Sequence, residues 1–331
     1  MLSRLFFLIA IACNSLPLNA STAAEIDLRE SSWGNGSAHR LDGQWDSISG
    51  QLLSPEQIET TKPAFTKFPV PGVWGSKSSL ENSPPALGVM TYRTKVLIPS
   101  EARNYYLYLP DMPSAYRLWV NGKELVHQGS VGTFPHQEQP AFGPKVLALG
   151  EQDSSLTLVL HVSNFHYREG GIWFSLKLTD ESGRFGIDQK PIIGAVFFGA
   201  ILLAIGLYNL SMYLFRRKET PALFFGLLCL AVGVRRLLID ERVLYLFNWF
   251  SWETLQRVEH LCFYLCLALF MNFFASMYRQ HVPAWTGRVS WALIAPFVLI
   301  CLGFTNRVYT ELNIAFQILV MISLSFALVM Y

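Results

Sequence analysis

The chain has 331 residues, enough for two domains of ordinary size, and 51% of them are hydrophobic while only 15% are charged. Soluble domains carry about 25% charged residues, so the composition excludes a disordered or nucleic-acid-binding chain and predicts that part of the protein lies in lipid. Residues 25–188 carry 14 basic and 18 acidic side chains, a net charge of −4. Residues 189–331 carry 11 basic and 6 acidic ones, a net charge of +5. The two halves are therefore predicted to differ in kind.

The first 24 residues have the pattern of a secretory signal peptide. A basic start at Arg4 precedes an apolar run from Leu5 to Ala12 and a stretch rich in small residues. The apolar run is too short to span a bilayer, so we expect cleavage after Ala20, Ala23 or Ala24 and export of the next domain. Lipidation at Cys13 is an alternative, although Ala10 stands where such a signal prefers leucine.

Residues 25–188 show the alternation of β-strands between turn signals. One predicted strand face contains Met90, Tyr92, Thr94, Val96 and Ile98; others contain Tyr116, Leu118 and Val120, then Leu156, Leu158, Leu160 and Val162, and then Ile172, Phe174, Leu176 and Leu178. Asn121-Gly122 is a strong hairpin signal, because both residues tolerate positive φ. Many short strands separated by proline and glycine predict an all-β sandwich.

Four segments of this half resemble a known module. They are Phe68 to Gly75 (FPVPGVWG), Gly88 to Arg93 (GVMTYR), Tyr116 to Gly132 (YRLWVNGKELVHQGSVG) and Val162 to Trp173 (VSNFHYREGGIW). In this order they are similar to the galactose-binding-like jelly roll that opens many glycoside hydrolases of family 2. The resemblance implies an extracytoplasmic jelly-roll domain over residues 25–188 that binds sugar or serves as a scaffold.

Candidate ligand-binding residues lie mostly in one short segment. Sugars are held by aromatic faces and by planar polar groups that make paired hydrogen bonds, and such groups occur at Asn164, His166, Arg168 and Trp173 with Tyr167 between them. Arg93 and Trp119 are added because they point away from the apolar faces of their strands. The alternative is structural: the tryptophans pack in the core and Asn164 satisfies a turn. No catalytic residue, metal site or cofactor is predicted.

Residues 189–331 are predicted to form a transmembrane helical bundle. Apolar runs suggest five spans at about 191–215, 220–239, 260–278, 289–305 and 311–331, since about 20 residues of helix cross a hydrocarbon core. With the sandwich outside, the inner loops would hold Arg216, Arg217, Lys218, Arg279 and Arg288, in agreement with the positive-inside rule. The second span includes Arg235 and Arg236, for which we expect either snorkelling to the headgroups or a polar latch with Asp240, Glu241 or Glu259.

The membrane half carries a second resemblance. The segment from Gly194 to Leu238, above all Tyr208 to Lys218, is similar to the start of the bacterial seven-transmembrane receptors with diverse intracellular signalling modules. That family couples an exported jelly roll to a helical bundle and a cytoplasmic output enzyme. The resemblance implies a sensory receptor of the bacterial inner membrane with a periplasmic N-terminal domain. Since two spans and the output are missing, we expect a fragment, with a diguanylate cyclase or histidine kinase beyond Tyr331.

The sequence thus predicts a receptor that binds a carbohydrate or another small polar molecule outside and signals through the bilayer. A second copy of this chain, in a homodimer, is a further partner that the sequence allows. The alternative function is a membrane-anchored protein that binds or processes envelope carbohydrate. Catalytic carboxylates clustered near Asn164 and Arg168 would favour that alternative.

Overall fold

The structure is a computed structural model that describes residues 24–75, 83–101, 103–112, 114–152, 154–239, 241–247, 249–283 and 285–330. The predicted signal peptide lies outside these residues except for Ala24. A β-rich region is followed by a helical region, as the sequence predicts.

The β-rich region contains thirteen strands among the described residues. They are β1 (Glu25–Asp27), β2 (Ala38–Arg40), β3 (Gly43–Ser49), β4 (Thr66–Val70), β5 (Gly72–Val73), β6 (Gly88–Leu97), β7 (Arg103–Leu109), β8 (Ala115–Val120), β9 (Lys123–Gln128), β10 (Lys145–Gln152), β11 (Ser155–Asn164), β12 (Gly171–Ile172) and β13 (Lys177–Asp180).

A seven-stranded and a four-stranded sheet form a β-sandwich, called the sandwich below, and β5 and β12 pair in a separate two-stranded sheet. One sheet has the order β4-β3-β6-β11-β8-β9, with β1 parallel to the far end of β6, and the facing sheet has the order β10-β7-β13-β2. The apolar faces predicted for β6, β8 and β11 are buried between the two sheets. The predicted hairpin is present, with Asn121 and Gly122 at φ 50° and 81°. Phe174 departs from its predicted strand face: it is exposed, because the chain leaves the sheet between β12 and β13.

A short helix covers part of the outer face of the larger sheet. Helix α1 (Pro55–Thr61) begins at Ser54, whose hydroxyl accepts from Gln57 N while the Gln57 side chain accepts from Ser54 N. This reciprocal cap fixes the start of the helix. Ile58 of α1 packs on Trp119 and Val159, which form a small cluster outside the main core.

The sandwich leads into the membrane half through a compact connector, residues 179–188. A 3-10 turn (Glu181–Gly183) and helix α2 (Arg184–Ile187) lie between β13 and the first long helix. Asp180 caps the turn by accepting from Ser182 N at 3.0 Å, and its other oxygen accepts from Gly34 N at 2.6 Å. Burial would raise the pKa of Asp180, but the hydrogen bonds from Ser182 and Gly34 outweigh it, and the pKa is lowered. The carboxylate therefore fastens the connector to the sandwich.

The helical region contains α3 (Gln189–Phe215), α4 (Thr220–Leu238), α5 (Trp252–Met277), α6 (Trp285–Gly303), α7 (Asn306–Glu311) and α8 (Asn313–Met330). Among the described residues, four helices are long and apolar enough to cross a membrane: Glu181–Phe215 (the connector continued by α3), Thr220–Leu238, Trp252–Met277 and Trp285–Gly303. They correspond to the first four predicted spans. The fifth predicted span is divided between α7 and α8, and its apolar part, Asn313–Val329, is shorter than the other four. The chain is therefore an integral membrane protein.

Helix α5 begins well before the predicted span at residue 260. Its first two turns carry Glu253, Gln256, Arg257 and Glu259, which a search for apolar runs excludes. Ser251 caps this helix by accepting from Thr254 N at 3.2 Å. The extra turns project towards the sandwich and supply residues to the contact between the two regions.

Candidate functional site

The sandwich contacts the helical region through a charged triad formed by Asp111, Arg242 and Glu259. Arg242 lies in the loop between α4 and α5, Asp111 follows β7 in the sandwich, and Glu259 is on α5. Nε and Nη2 of Arg242 lie 2.9 and 2.8 Å from Asp111 Oδ2, and Nη1 lies 2.8 Å from Glu259 Oε2. All three side chains are largely buried, with 13 to 17% of their surface exposed. One guanidinium thus joins a sandwich carboxylate to a helix carboxylate.

Backbone geometry brings Arg242 into this position. Helix α4 ends at Leu238, and Arg242 adopts a left-handed conformation with φ 51°. Its Nη1 also donates to Leu238 O at 3.0 Å, so the side chain caps the end of α4. Burial alone would lower the pKa of Arg242, but Asp111 and Glu259 outweigh it and raise the pKa. Arg242 therefore stays protonated between its two carboxylates.

An aromatic cluster surrounds the triad. The guanidinium carbon of Arg242 lies 4.7 Å from the ring centre of Phe142, in the loop before β10. The Phe142 ring lies 5.4 Å from Trp252 of α5 and 5.8 Å from Tyr167 of the sandwich. Tyr167 is partly buried here, and this desolvation raises its pKa to about 12. Exclusion of water by these rings strengthens the ion pairs of the triad.

A chain of polar contacts leads from the triad into the bundle. Gln256 Nε2 lies 3.3 Å from Glu259 Oε2, and Asn306 Nδ2 of α7 lies 3.4 Å from Gln256 Oε1. One turn further along α5, His260 Nε2 lies 3.4 Å from Asn313 Nδ2 at the start of α8. These side chains link α5 to α7 and α8 directly below the contact with the sandwich.

The predicted ligand-binding segment, residues 164–173, lies at this junction and is called the corner. Asn164 is fully buried. Its Nδ2 donates to Ala86 O at 2.8 Å and to Tyr167 O at 2.9 Å, and its Oδ1 accepts from Tyr167 N at 3.0 Å. With its amide engaged in this way, Asn164 shapes the turn, and the structure favours its structural role over contact with a ligand.

His166 and Glu138 form a second feature of the corner. Nδ1 of His166 lies 3.0 Å from Oε1 of Glu138, which also accepts from Phe165 N and from the Ser114 hydroxyl. The Glu138 side chain has no exposed surface, whereas that of His166 is 37% exposed. His166 is therefore oriented by a buried carboxylate and presents part of its ring to solvent.

Arg168 and Trp173 occupy the remaining edge of the corner. Nη1 of Arg168 donates to Thr310 O of α7 at 3.3 Å, a second link between sandwich and helices. Trp173 donates from Nε1 to Gly170 O at 3.1 Å, and its ring lies 5.3 Å from Tyr167. The corner thus places Arg168 against α7 and Trp173 against Tyr167.

Arg93 and Trp119 lie apart from the corner. Arg93 is paired with Asp46 at 2.6 Å and packs over Phe65, five residues along β6 from Gly88, the partner of Asn164. At about 3.3 Å per residue this is about 17 Å along the strand. Trp119 is buried beneath α1. These two residues do not join the predicted ligand cluster, because both serve the outer face under α1.

Glu259, one of the expected partners in the polar latch, pairs with Arg242 of the α4–α5 loop. Arg235 packs its guanidinium 4.8 Å from the ring centre of Phe263 on α5. Arg242, to which the sequence pattern assigned no role, is the cation of the junction. It was missed because a hydropathy pattern marks charges inside spans, and Arg242 lies in the loop after one.

Within the described residues, no group of three or more histidine, cysteine, aspartate and glutamate side chains could hold a metal ion. The charged side chains of the triad are used in contacts between the sandwich and the helical region.

Comparison with known proteins gives a match for the helical region. Residues 191–331 match the model of a family described as 7TM diverse intracellular signalling. No curated protein matches the chain. Similar solved structures include a Ruminococcus gnavus beta-glucuronidase, with 15% identity and a TM-score of 0.32 over 43% of this chain and 27% of that one. A putative beta-galactosidase from Bacteroides fragilis has 13% identity and a TM-score of 0.33 over 43% of this chain and 23% of that one.

The chain therefore spans about a quarter of the length of these two enzymes. The family match covers the four span-capable helices together with α7 and α8. It agrees with the resemblance drawn from Gly194 to Leu238. Residues 191–331 of this protein are thus similar to the seven-transmembrane region of the family described as 7TM diverse intracellular signalling, and they follow a β-sandwich.

Proposed function

We propose that this chain is the sensory and membrane portion of a bacterial signal-transduction receptor. The sandwich lies on the periplasmic side of the inner membrane and binds a carbohydrate or another small polar molecule. Binding changes how the sandwich contacts the helix ends, and the bundle passes this change to a cytoplasmic output, a diguanylate cyclase or a histidine kinase. A homodimer stays a prediction.

The observation that carries the proposal is the triad. Its charges come from the sandwich, the α4–α5 loop and α5, and all three are largely buried. Removing one partner of a buried ion pair typically costs about 3–5 kcal/mol, because a charge is left uncompensated. A movement of the sandwich that separates Asp111 from Arg242 therefore changes the energy of the helix ends by an amount large enough to switch a receptor.

The corner supports ligand binding close to this contact. His166 and Trp173 are partly exposed, and Arg168 donates a hydrogen bond to Thr310 O of α7. A ligand that draws Arg168 away from Thr310 would alter a link to the helices directly. A ligand shifts a two-state equilibrium only through its differential affinity for the two states, and this link supplies such a difference.

The proposal is tested by hydrogen exchange on the full chain in lipid nanodiscs, with and without a panel of neutral and acidic oligosaccharides. We expect one of them to protect residues 164–173 and also to change exchange at residues 239–259. In Asp111→Asn we expect the protection of residues 164–173 to be retained. The change in exchange at residues 239–259 should be reduced at least several-fold, because the neutral amide holds Arg242 less strongly.

The matched control is Asp46→Asn, which removes a sandwich carboxylate paired with Arg93 and Lys67 far from the helices. It should leave both effects intact. Protection of the corner with no change at residues 239–259 in the unmodified chain would contradict the proposal. Hydrolysis of an oligosaccharide during incubation would instead favour the alternative, a membrane-anchored protein that processes envelope carbohydrate.

A further inference from the structure

A cavity of about 470 Å³ lies between the sandwich and the helix ends, beside the triad. The sandwich contributes Gln128, Phe142 and Lys145 among others, and the helical region contributes Glu241, Arg242, Tyr245, Phe250, Trp252 and Leu255. Ligand sites of about 300–1,000 Å³ commonly occur at domain interfaces and combine aromatic walls with a few polar groups. This cavity has that size, place and lining.

A second cavity of about 260 Å³ opens on the other side of the same loop and is almost wholly apolar. Val234 and Leu238 of α4, and Leu255 and Val258 of α5, form its walls, together with Leu244, Trp249, Phe250 and Thr254. Phe250 and Leu255 line both cavities. The polar space and the apolar groove therefore adjoin at the membrane boundary next to the sandwich.

Lys145 is the cation available in the polar cavity. Its Nζ donates to His127 O at 3.1 Å, and no carboxylate in the described part of the chain lies within ion-pair distance of it. Burial lowers the pKa of Lys145, because its ammonium group loses part of its solvation here. The other lining cation, Arg242, is already neutralised by Asp111 and Glu259. An anionic group bound at Lys145 would make a charge-assisted hydrogen bond with its ammonium group.

We infer that the two cavities together bind an anionic lipid from the adjacent leaflet. Its phosphate or carboxylate headgroup contacts Lys145 beside the triad, and its acyl chain lies between α4 and α5 against Val234, Leu238 and Val258. Since Tyr245 and Trp252 line the polar cavity, an occupied site stabilises the α4–α5 loop in the conformation that holds Arg242. The membrane would thereby set the strength of the contact between sandwich and helices, independently of any ligand at the corner.

The inference is tested with the full chain in a neutral detergent, using native mass spectrometry and titration with dodecyl phosphate. Dodecanol and inorganic phosphate serve as the tail and the headgroup alone. We expect one dodecyl phosphate per chain, bound at least about tenfold more tightly than either, because a charge-assisted hydrogen bond and a buried chain both contribute. Lys145→Met should weaken dodecyl phosphate binding about tenfold and leave the weak binding of dodecanol unchanged.

Val258→Trp, which fills the groove, should weaken both alkyl compounds. The matched controls are Lys123→Met at the start of β9 and Leu299→Trp on the exposed face of α6, and neither should change binding. Inorganic phosphate bound as tightly as dodecyl phosphate, dodecanol bound as tightly, or unchanged binding in Lys145→Met would each overturn the inference. Because binding is measured without any signalling readout, such a failure would leave the receptor proposal standing.

Discussion

Asn164 shows how a residue with the chemistry of a ligand contact can serve the backbone instead. It ends β11, has no exposed surface, and bonds to Ala86 and to both backbone groups of Tyr167. The residues after it, His166 and Arg168, inherit their positions from this turn. At the scale of single residues, Asn164 therefore shapes the loop of the corner, and His166 and Arg168 are the polar side chains that this loop positions.

Asn164→Ala is expected to destabilise the protein instead of simply removing a ligand contact. An unsatisfied buried donor or acceptor costs about 1–3 kcal/mol, so the thermal midpoint of the full chain should fall measurably. Asn104→Ala, at an exposed position of β7, is the control and should have little effect. If Asn164→Ala keeps its stability but no longer binds oligosaccharide, Asn164 contacts the ligand and the structural interpretation is wrong.

His161 makes the sandwich sensitive to mild acid. Its ring is buried against Trp119, with Nε2 2.8 Å from Leu53 O, and burial lowers its pKa to about 4. The unfolded chain takes up this proton near pH 6.5 and the folded chain only near pH 4, so stability falls as the pH is lowered between these values. One pKa unit corresponds to about 1.4 kcal/mol, and the loss should reach about 3 kcal/mol.

Chemical unfolding followed by tryptophan fluorescence, repeated at several pH values from about 7 to about 4, measures this effect. His161→Gln should lose the part of the pH dependence that lies between pH 6.5 and about 4. His136→Gln, at an exposed position, should keep it. An identical pH dependence in wild type and His161→Gln would show that other groups dominate.

At the scale of elements, α3 and α4 pack closely through glycines. A Cβ built at Gly226 of α4 would lie 3.0 Å from Gly206 O of α3, and one at Gly206 would lie 2.7 Å from Leu230. Small residues let membrane helices approach closely enough for their backbones to touch. Helix α3 is thus held against α4, whose end carries the loop with Arg242.

Gly226→Val should push α3 away from α4. Overpacking a close contact costs about 1–3 kcal/mol, and we expect a lower thermal midpoint in detergent and faster hydrogen exchange in both helices. Gly194→Val is the matched control, because no atom lies within 4 Å of its added Cβ. Equal behaviour of the two variants would mean that the contact between α3 and α4 does not limit stability.

The sequence predicted the elements better than their contacts. Alternation located β6, β8 and β11 because one face of each strand is buried, and apolar runs located α3 to α6 because lipid selects for them. The start of α5 was missed because its first turns are polar. The triad was not predictable, since Arg242 is 131 residues from Asp111 and 17 from Glu259. The corner was found only because its members are neighbours in the chain.

At the scale of the whole molecule, the acidic half and the basic half meet through specific pairs. The net charges of −4 for residues 25–188 and +5 for residues 189–331 do not indicate which residues form the contact between the two regions. The structure places it at Asp111, Phe142, Tyr167 and Arg168 on one side and at Arg242, Trp252, Glu259 and Thr310 on the other. Oligosaccharide binding at the corner and lipid binding beside Lys145 would act on this one contact from two directions.

The connector couples the orientation of the sandwich to the tilt of α3. Strand β13 runs through the capped turn at Asp180 into α3 without a flexible spacer. A helix of 27 residues is about 40 Å long at about 1.5 Å per residue. A tilt of only about 5° at the end joined to the sandwich would therefore displace the opposite end by about 3.5 Å, across the full thickness of the bilayer.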